Sequence, residues 1–264
     1  MGTNNTGNLD LARRFAELRS VGAFLTILPM GRPDGGTEIS HGPGELAAAA
    51  WCFPIIGLFV GAAGGLLYGL AIWLGCSVWL AATLCVALLV LLCGGLHEDG
   101  LGDFFDGLGG TNRDRRLAIM RDSQAGNFAV VALLLLFAGR IGAISALAAP
   151  ERVIPALLVA AAVSRAAMVV VMHVLPAARS QGLGADAGRP GLKMAIISVL
   201  IAAVIAWVAM GFIAALASLA GAALAAALLA AVARNRLGGQ TGDVLGAVQV
   251  TAEFGSLSAA SLMF

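Results

Sequence analysis

The residues best suited to chemistry lie in one stretch, Gly94-Gly95-Leu96-His97-Glu98-Asp99-Gly100-Leu101-Gly102-Asp103-Phe104-Phe105-Asp106-Gly107. At about 100° per residue, Asp103 falls about 40° from Asp99 and Asp106 about 20° from it on the other side, so a helix here presents three carboxylates on one face. Bare carboxylates so placed repel one another. A hard divalent cation removes that repulsion, and Mg²⁺ typically takes one or two carboxylates together with substrate phosphate oxygens. Gly100, Gly102 and Gly107 weaken a helix but are expected to let a bulky phosphorylated ligand come close to the backbone. The plainer reading is a solvated acidic helix end, against which stands the apolar run directly before the cluster.

Arginines follow the acids, in Thr111-Asn112-Arg113-Asp114-Arg115-Arg116 and then Met120-Arg121-Asp122-Ser123-Gln124-Ala125-Gly126. Guanidinium forks match phosphate oxygens, so Arg113 and Arg121 are the expected phosphate contacts; anchoring the chain at a membrane surface is the alternative for Arg113, Arg115 and Arg116. A second polar node, Gly238-Gly239-Gln240-Thr241-Gly242-Asp243, precedes the last apolar run. Asp243 there either caps a helix or adds a carboxylate to the first cluster. Glu45, at the mouth of the first apolar run, is a further candidate ligand. His97 is placed to orient a ligand or act as general base, or else simply ends the apolar run. His41 and His173 carry no signal.

What must position these residues is a membrane. Of 264 residues, 59% are hydrophobic, rising to roughly 72% with the 35 glycines, where a soluble domain has about 45–50% in a comparable set. Charged residues are 12% and mean hydropathy is +0.92. Soluble enzymes, nucleic-acid binders and disordered tails are thereby excluded, and a net charge of +1 argues against a polyanionic partner. Cys52, Cys76, Cys85 and Cys93 lack metal-site spacing and read as small apolar packing residues.

Crossing about 30 Å of hydrocarbon takes about 20 helical residues. The runs are Leu46 to Trp73, Val78 to Leu96, Phe128 to Ala149, Val153 to Leu175, Met194 to Val232 as two spans turning near Met210-Gly211, and Val244 to Phe264. The expected fold is therefore all-α, a polytopic bundle of about seven transmembrane helices in one domain, 46–264. Before it, 1–45 holds an amphipathic surface helix over Leu9 to Leu28 and a polar linker from Gly31 to Gly44. With the N-terminus cytoplasmic, 13 of the 16 basic residues fall in 1–45, 97–127, 176–193 and 233–243, and only Arg152 in an outer loop. The candidate site thus faces the cytoplasm. Arg140, Arg165 and Glu253 fall inside spans, where Glu253 is expected to pair with one arginine and leave the other for an anionic substrate group.

Together, Gly94-Gly95-Leu96-His97-x-Asp99-Gly100-Leu101-x-Asp103-x-x-Asp106-Gly107, Met120-Arg121-Asp122-Ser123-x-x-Gly126, Ser164-Arg165, Gly182-Leu183-Gly184 and Gly238-Gly239-Gln240-Thr241-Gly242-Asp243 resemble the cobalamin synthase family, the adenosylcobinamide-GDP ribazoletransferases. The likeness covers nearly the whole chain, from Phe24-Leu25-Thr26 onward. It implies a Mg²⁺-dependent inner-membrane enzyme that joins α-ribazole, or its 5′-phosphate, to adenosylcobinamide-GDP and releases GMP. On this reading Asp99, Asp103 and Asp106, with Asp122 or Asp243, hold one or two Mg²⁺ ions. Arg113, Arg121, Ser123, Arg165, Gln240 and Thr241 become the substrate contacts. Two departures are Ile27-Leu28-Pro29, where the family commonly has Arg-Leu-Pro, and His97-Glu98-Asp99, where it commonly has His-Leu-Asp; Glu98 would add a carboxylate next to the metal. Another transferase acting on a nucleotide-diphosphate alcohol would use similar aspartates, but Asp106-Gly107 is followed by Leu108-Gly109-Gly110-Thr111 rather than the Ala-Arg spacing of the phospholipid-headgroup enzymes. A divalent-cation transporter would place its ligands near the bilayer midplane, not at span ends.

Overall fold

The computed structural model describes residues 5–30, 44–122 and 124–263; the linker as far as residue 43, and Ser123, lie outside the described residues. The elements run α1 (Asn5–Leu25), α2 (Glu45–Ala48), a short 3-10 turn leading into α3 (Phe53–Trp73), α4 (Val78–Leu92), α5 (Leu96–Leu108), α6 (Arg113–Ile119), α7 (Asn127–Leu147), α8 (Pro150–Val174), α9 (Leu183–Asp186), α10 (Leu192–Leu237) and α11 (Gly242–Ser261). Among the described residues the extended pairing is one parallel bridge, Ala177 with Gln240. The expected all-helical class holds.

Five helical segments are long and apolar enough to cross a membrane: Ala50–Trp73, Asn127–Leu147, Pro150–Val174, Leu192–Met210 and Phe212–Leu237. The break between the last two is at Gly211, whose φ of 74° lies in the left-handed region, so the 39-residue run does divide where expected. The expected count of seven needs correction in two places. The run from Val78 stops at Leu92, where α4 bends by 88° into α5, so this pair is at most one broken span and the count is five, or six with that pair included. The final run forms α11, which at 20 residues is long enough, but Asp243, Gln249 and Glu253 lower its apolarity. It lies against α5, α7, α8 and α10 instead of facing lipid.

Helix α8 is the centre of the bundle, in contact with α3, α10 and α11. Its Ala156, Ala160, Ala161, Ala162 and Ala166 are all buried, and small side chains let helices approach closely where hydrophobic driving force between them is weak. The surface helix forms as α1 but ends at Leu25, short of Pro29. Clean amphipathicity is not seen: Val21 and Leu25 are buried, while Leu11 and Phe15 share its exposed side with Arg13 and Arg14. Past α1, the Ile27 N–H donates to the Leu92 carbonyl at 2.8 Å and ties the chain to the α4–α5 bend.

The charges inside the bundle neutralise one another. Arg140 donates through Nη1 to Glu98 Oε1 at 2.9 Å and through Nη2 to Glu253 Oε1. Gln249 Nε2 donates to Glu253 Oε2 at 2.8 Å and to Ser164 Oγ at 3.1 Å. Arg165 Nη1 stands 3.9 Å from Glu253 Oε2 and donates to the Ala161 carbonyl at 3.0 Å, with Nη2 on Cys93 Sγ at 3.3 Å. Glu253 therefore faces both arginines. Arg165, only 1% exposed, turns into this network and is not left for a substrate group. The four cysteines are free thiols, as expected, and Cys93 serves additionally as the acceptor for Arg165.

Candidate functional site

The chain reverses at the start of α5 through Gly94 and Gly95, whose φ values of 63° and 68° are left-handed. That turn carries α5 off the line of α4 and across the end of the bundle. Its acidic side then meets the N-terminus of α11, and the contact requires glycine: a Cβ on Gly100 would stand 2.7 Å from the Asp243 carbonyl oxygen. Gly102 and Gly107 similarly admit Ala129 and Met120. The glycines of the acidic run thus make room for neighbouring segments, not for a ligand as expected. Their effect on the site is indirect, since the Gly100 crossing sets Asp243 beside Asp99.

Asp99 and Asp243 line one pocket of about 100 Å³, together with His97. Asp103 lies within their field. Burial, reinforced by Asp99, Asp243 and Asp106 and opposed by Arg179, pushes its carboxyl up from 3.8 to about 7. This is the signature of negative charges gathered with too little positive charge among them. Asp106 has a different task. Its Oδ2 accepts from Gly126 N–H at 2.6 Å and its Oδ1 from Ala129 N–H at 2.9 Å, so it caps the N-terminus of α7. Asp122 is exposed in the turn before α7, with Oδ1 accepting from Gln124 N–H at 3.2 Å. Glu45 is exposed at the start of α2, which docks on the 182–188 segment through Ala47 N–H to the Ala187 carbonyl at 3.0 Å. Glu98 points into the bundle at Arg140, so it is no extra carboxylate at the site.

Of the arginines, Arg113 is a structural tie. Its Nε donates to the Leu237 carbonyl at 2.8 Å and its Nη2 to the Ala178 carbonyl at 2.7 Å, joining the segments 97–127, 176–193 and 233–243 at one end of the bundle. Arg121 is exposed and close enough to Arg179 to act on it electrostatically. Arg179 is the side chain that sequence reasoning missed, having counted it only among the basic residues that set the orientation. Its Nη1 is 3.7 Å from Asp243 Oδ2, and its Nη2 donates to the Leu117 carbonyl at 2.8 Å. Burial, with Arg121 adding to it, holds its pKa below the ordinary arginine value against the pull of Asp243 and Asp103. The available signal was its place three residues before Gly182-Leu183-Gly184.

Gln240 and Thr241 are buried in the turn before α11. Gln240 is held by its backbone to Pro176 and Ala178 and donates through Nε2 to the Gly184 carbonyl at 3.2 Å. Thr241 Oγ1 caps α11 by accepting from Val244 N–H at 3.2 Å, and donates to Asp243 Oδ2 at 3.2 Å. Arg179, Gln240, Thr241 and Asp243 line a second, polar pocket of about 80 Å³. His97 is 2% exposed, and neither ring nitrogen has a hydrogen-bond partner. Burial, then Arg165 and Arg140, lowers its pKa well below the usual histidine value, so the ring is neutral.

Among the described residues, no three His, Cys, Asp or Glu side chains converge closely enough to hold a metal ion by themselves. Two carboxylates flanking one pocket do fit a Mg²⁺ that completes its shell with substrate phosphate and water. A cavity of about 460 Å³ between α8 and both arms of α10 is lined by alanine, valine and leucine with Arg234 and contains no carboxylate. It is unsuited to polar chemistry.

Known proteins place the same constellation in a wider context. Residues 17–261 match the family described as cobalamin-5-phosphate synthase. A protein of Bradyrhizobium diazoefficiens named adenosylcobinamide-GDP ribazoletransferase is 41% identical over 248 residues, 94% of each chain. Proteins of the same name from Mesorhizobium japonicum, 41% identical over 82% of this chain and 84% of the relative, and Azorhizobium caulinodans, 38% identical over 93% and 95%, extend the likeness. No solved structure matches.

Proposed function

The chain belongs to the cobalamin-5-phosphate synthase family, and from that premise we propose that it joins α-ribazole, or its 5′-phosphate, to adenosylcobinamide-GDP and releases GMP. The observation that carries this reading is the gathering of Asp99, Asp103 and Asp243 with Arg179 where α5 meets α11. A hydroxyl oxygen of α-ribazole forms a bond to the phosphorus on the cobinamide arm, the bond from that phosphorus to the GMP oxygen breaks, and the hydroxyl proton departs. Little covalent help is required of the protein; charge and alignment are the difficulty.

Mg²⁺, held by Asp99 and Asp243 with Asp103 beside them, would neutralise the diphosphate and the departing GMP. Arg179 and Arg121 supply positive charge beside them, and Arg179 already bridges Asp243 and the α6 backbone. Arg113 holds the three loops in register. The reading places the enzyme in the inner membrane with this end of the bundle in the cytoplasm, because the basic residues concentrate there.

Purified protein in detergent, given adenosylcobinamide-GDP, α-ribazole and Mg²⁺, should release GMP and form the complete corrinoid in equal amounts. No GMP release, with a divalent-cation flux in proteoliposomes, would instead identify a transporter.

A further inference from the structure

We propose that the furrow between α8 and the two arms of α10 is a binding site for one anionic phospholipid, which lays an acyl chain along the alanine-lined wall and sets its phosphate on Arg234. The proposal rests on the membrane-spanning fold and not on the transferase reading.

The furrow has a direction. On the second arm of α10, Phe212–Leu237, the lining residues Leu219, Ala222, Ala226, Ala230 and Arg234 fall within about 120° of one another at about 100° per residue, so the arginine continues the alanine face by one turn toward the helix end. From Leu219 to Arg234 is about 22 Å at about 1.5 Å per residue, and α8 lines the same space over 163–175, about 18 Å. One leaflet of hydrocarbon is about 15 Å deep, half of about 30 Å, so the furrow covers the depth of one leaflet. The parallel bridge of Ala177 with Gln240, just past the ends of α8 and α10, puts Arg234 at the end of the bundle that carries Asp243.

The walls suit a hydrocarbon chain. Drawn out over that length, about 460 Å³ makes a space about one chain wide, too narrow for a ring as large as a corrin. Ala202, Ala222 and Ala226 are buried, while Val170, Val174 and Val199 are 36%, 52% and 38% exposed, so the furrow opens sideways from the spans toward lipid. Walls with nothing against them lose their dispersion contacts, and on the lipid side of a span acyl chains are what can restore them.

Arg234 decides which lipid. It is exposed at the end of the furrow, no carboxylate shares the lining, and among the described residues its guanidinium has no ion-pair or hydrogen-bond partner. A guanidinium takes phosphate by charge-assisted hydrogen bonds, and basic pockets between spans hold anionic head groups. A zwitterionic lipid offers the same phosphate, but its own ammonium competes for it. Anchoring by positive charge alone is the plainer role for an arginine here, and Arg236 supplies the contrast: it has the same charge in the same last turn but does not line the furrow.

The test is a titration of delipidated full-length protein in detergent with phosphatidylglycerol and with phosphatidylcholine of the same chains, bound lipids being counted by native mass spectrometry. Wild type should bind one phosphatidylglycerol at least about tenfold more tightly than phosphatidylcholine, the scale of a charge-assisted hydrogen bond, and glycerol phosphate without chains should not displace it. Arg234→Gln should bring the two lipids within about twofold, and Arg236→Gln should leave the preference intact. Ala227→Leu, which adds bulk at the furrow wall, should weaken both lipids by about tenfold or more.

Equal wild-type affinity for the two lipids overturns the proposal without any variant having to fold, as does displacement of phosphatidylglycerol by glycerol phosphate, which would mark an anion site in which the furrow has no part. A preference lost equally in Arg236→Gln reduces it to general positive charge at this end of the bundle and overturns it too. So does Ala227→Leu if phosphatidylglycerol stays bound while paired copies of the chain dissociate, or while only adenosylcobinamide-GDP binding is lost; the furrow would then belong to a second copy or to the substrate.

Discussion

Replacing Asp103 by asparagine separates a group serving chemistry from one serving the fold. The carboxyl moves from 3.8 in an unfolded chain to about 7 in the folded protein, chiefly through burial and then Asp99, Asp243 and Asp106. At about 1.36 kcal/mol for each tenfold change in proton affinity, that is about 4 kcal/mol as an upper bound, and partial exposure to solvent reduces it to about 1–2 kcal/mol. The sign follows from the raised folded-state value. The contribution to stability is full below 3.8 and is lost as pH rises through about 7. In chelator, wild type should therefore lose about 1–2 kcal/mol between mildly acid and mildly alkaline pH that Asp103→Asn does not lose. The variant should be as stable as wild type, or more so, at the alkaline end. Saturating Mg²⁺ should reverse the order, since a cation at about 100 times its dissociation constant stabilises the protein that binds it by about 2.7 kcal/mol. Thermal unfolding in detergent across pH, with and without Mg²⁺, reads the stabilities, and GMP release should fall to background in the variant. The assignment fails if Asp103→Asn turns over at the wild-type rate throughout a Mg²⁺ titration, or if its stability follows wild type in parallel at every pH in chelator.

Asp106→Ala should behave as a lost helix cap, costing about 0.5–2 kcal/mol in thermal unfolding whether or not Mg²⁺ is present; a cost seen only with Mg²⁺ would return Asp106 to the metal site. Glu253→Gln leaves Arg140 and Arg165 with only Glu98 to balance them, so destabilisation of about 3–5 kcal/mol is expected in chemical or thermal unfolding, and wild-type stability would refute the network. Arg179→Gln should raise KM for adenosylcobinamide-GDP by about tenfold or more, the scale of a charged hydrogen bond, whereas an unchanged KM removes Arg179 from the phosphate-binding group. A cysteine at position 112, in a variant freed of the native cysteines, should resist labelling from outside intact cells; ready labelling there reverses the proposed orientation.

The fold class was legible in the sequence because a crossing leaves a long apolar run, and the break at Gly211 was legible because 39 residues exceed one crossing. The count of spans was not. Val78 to Leu96 reads as continuous apolar sequence, yet two glycines in left-handed backbone end α4 at Leu92. Hydropathy carries no record of backbone direction. The last run has a crossing's length, but its polar residues face other helices, which composition along one chain does not reveal. At the site, the acids were visible as a type and a spacing, while their separate tasks depend on contacts far apart in sequence. Asp106 reads like Asp103 until Gly126 and Ala129 are seen 20 and 23 residues away, at its oxygens. Arg113 and Arg179 read alike until their partners are known: one grips backbone carbonyls, the other a site carboxylate.

Glu98 and Asp99 show how adjacent residues of the same chemical type divide the work of holding and forming the site. They are about 100° apart on α5 and so face different surroundings. Glu98 turns inward to Arg140, which also holds Glu253 of α11; Asp99 turns to the pocket shared with Asp243 at the start of that same helix. The two helices are consequently joined at two levels, by a buried ion network near the middle of α11 and, in its first turns, by the close contacts of Gly100 with Asp243 and of Gly246 with the His97 backbone. One attachment alone would leave α5 free to roll about its axis, and a roll of about 100°, one residue's worth, would put a neighbouring side chain where Asp99 stands. Two attachments fix the roll. The carboxylates, although they repel, are thereby kept on the pocket side by charges buried elsewhere in the bundle, and this permits an anionic site to exist before its cation and diphosphate arrive.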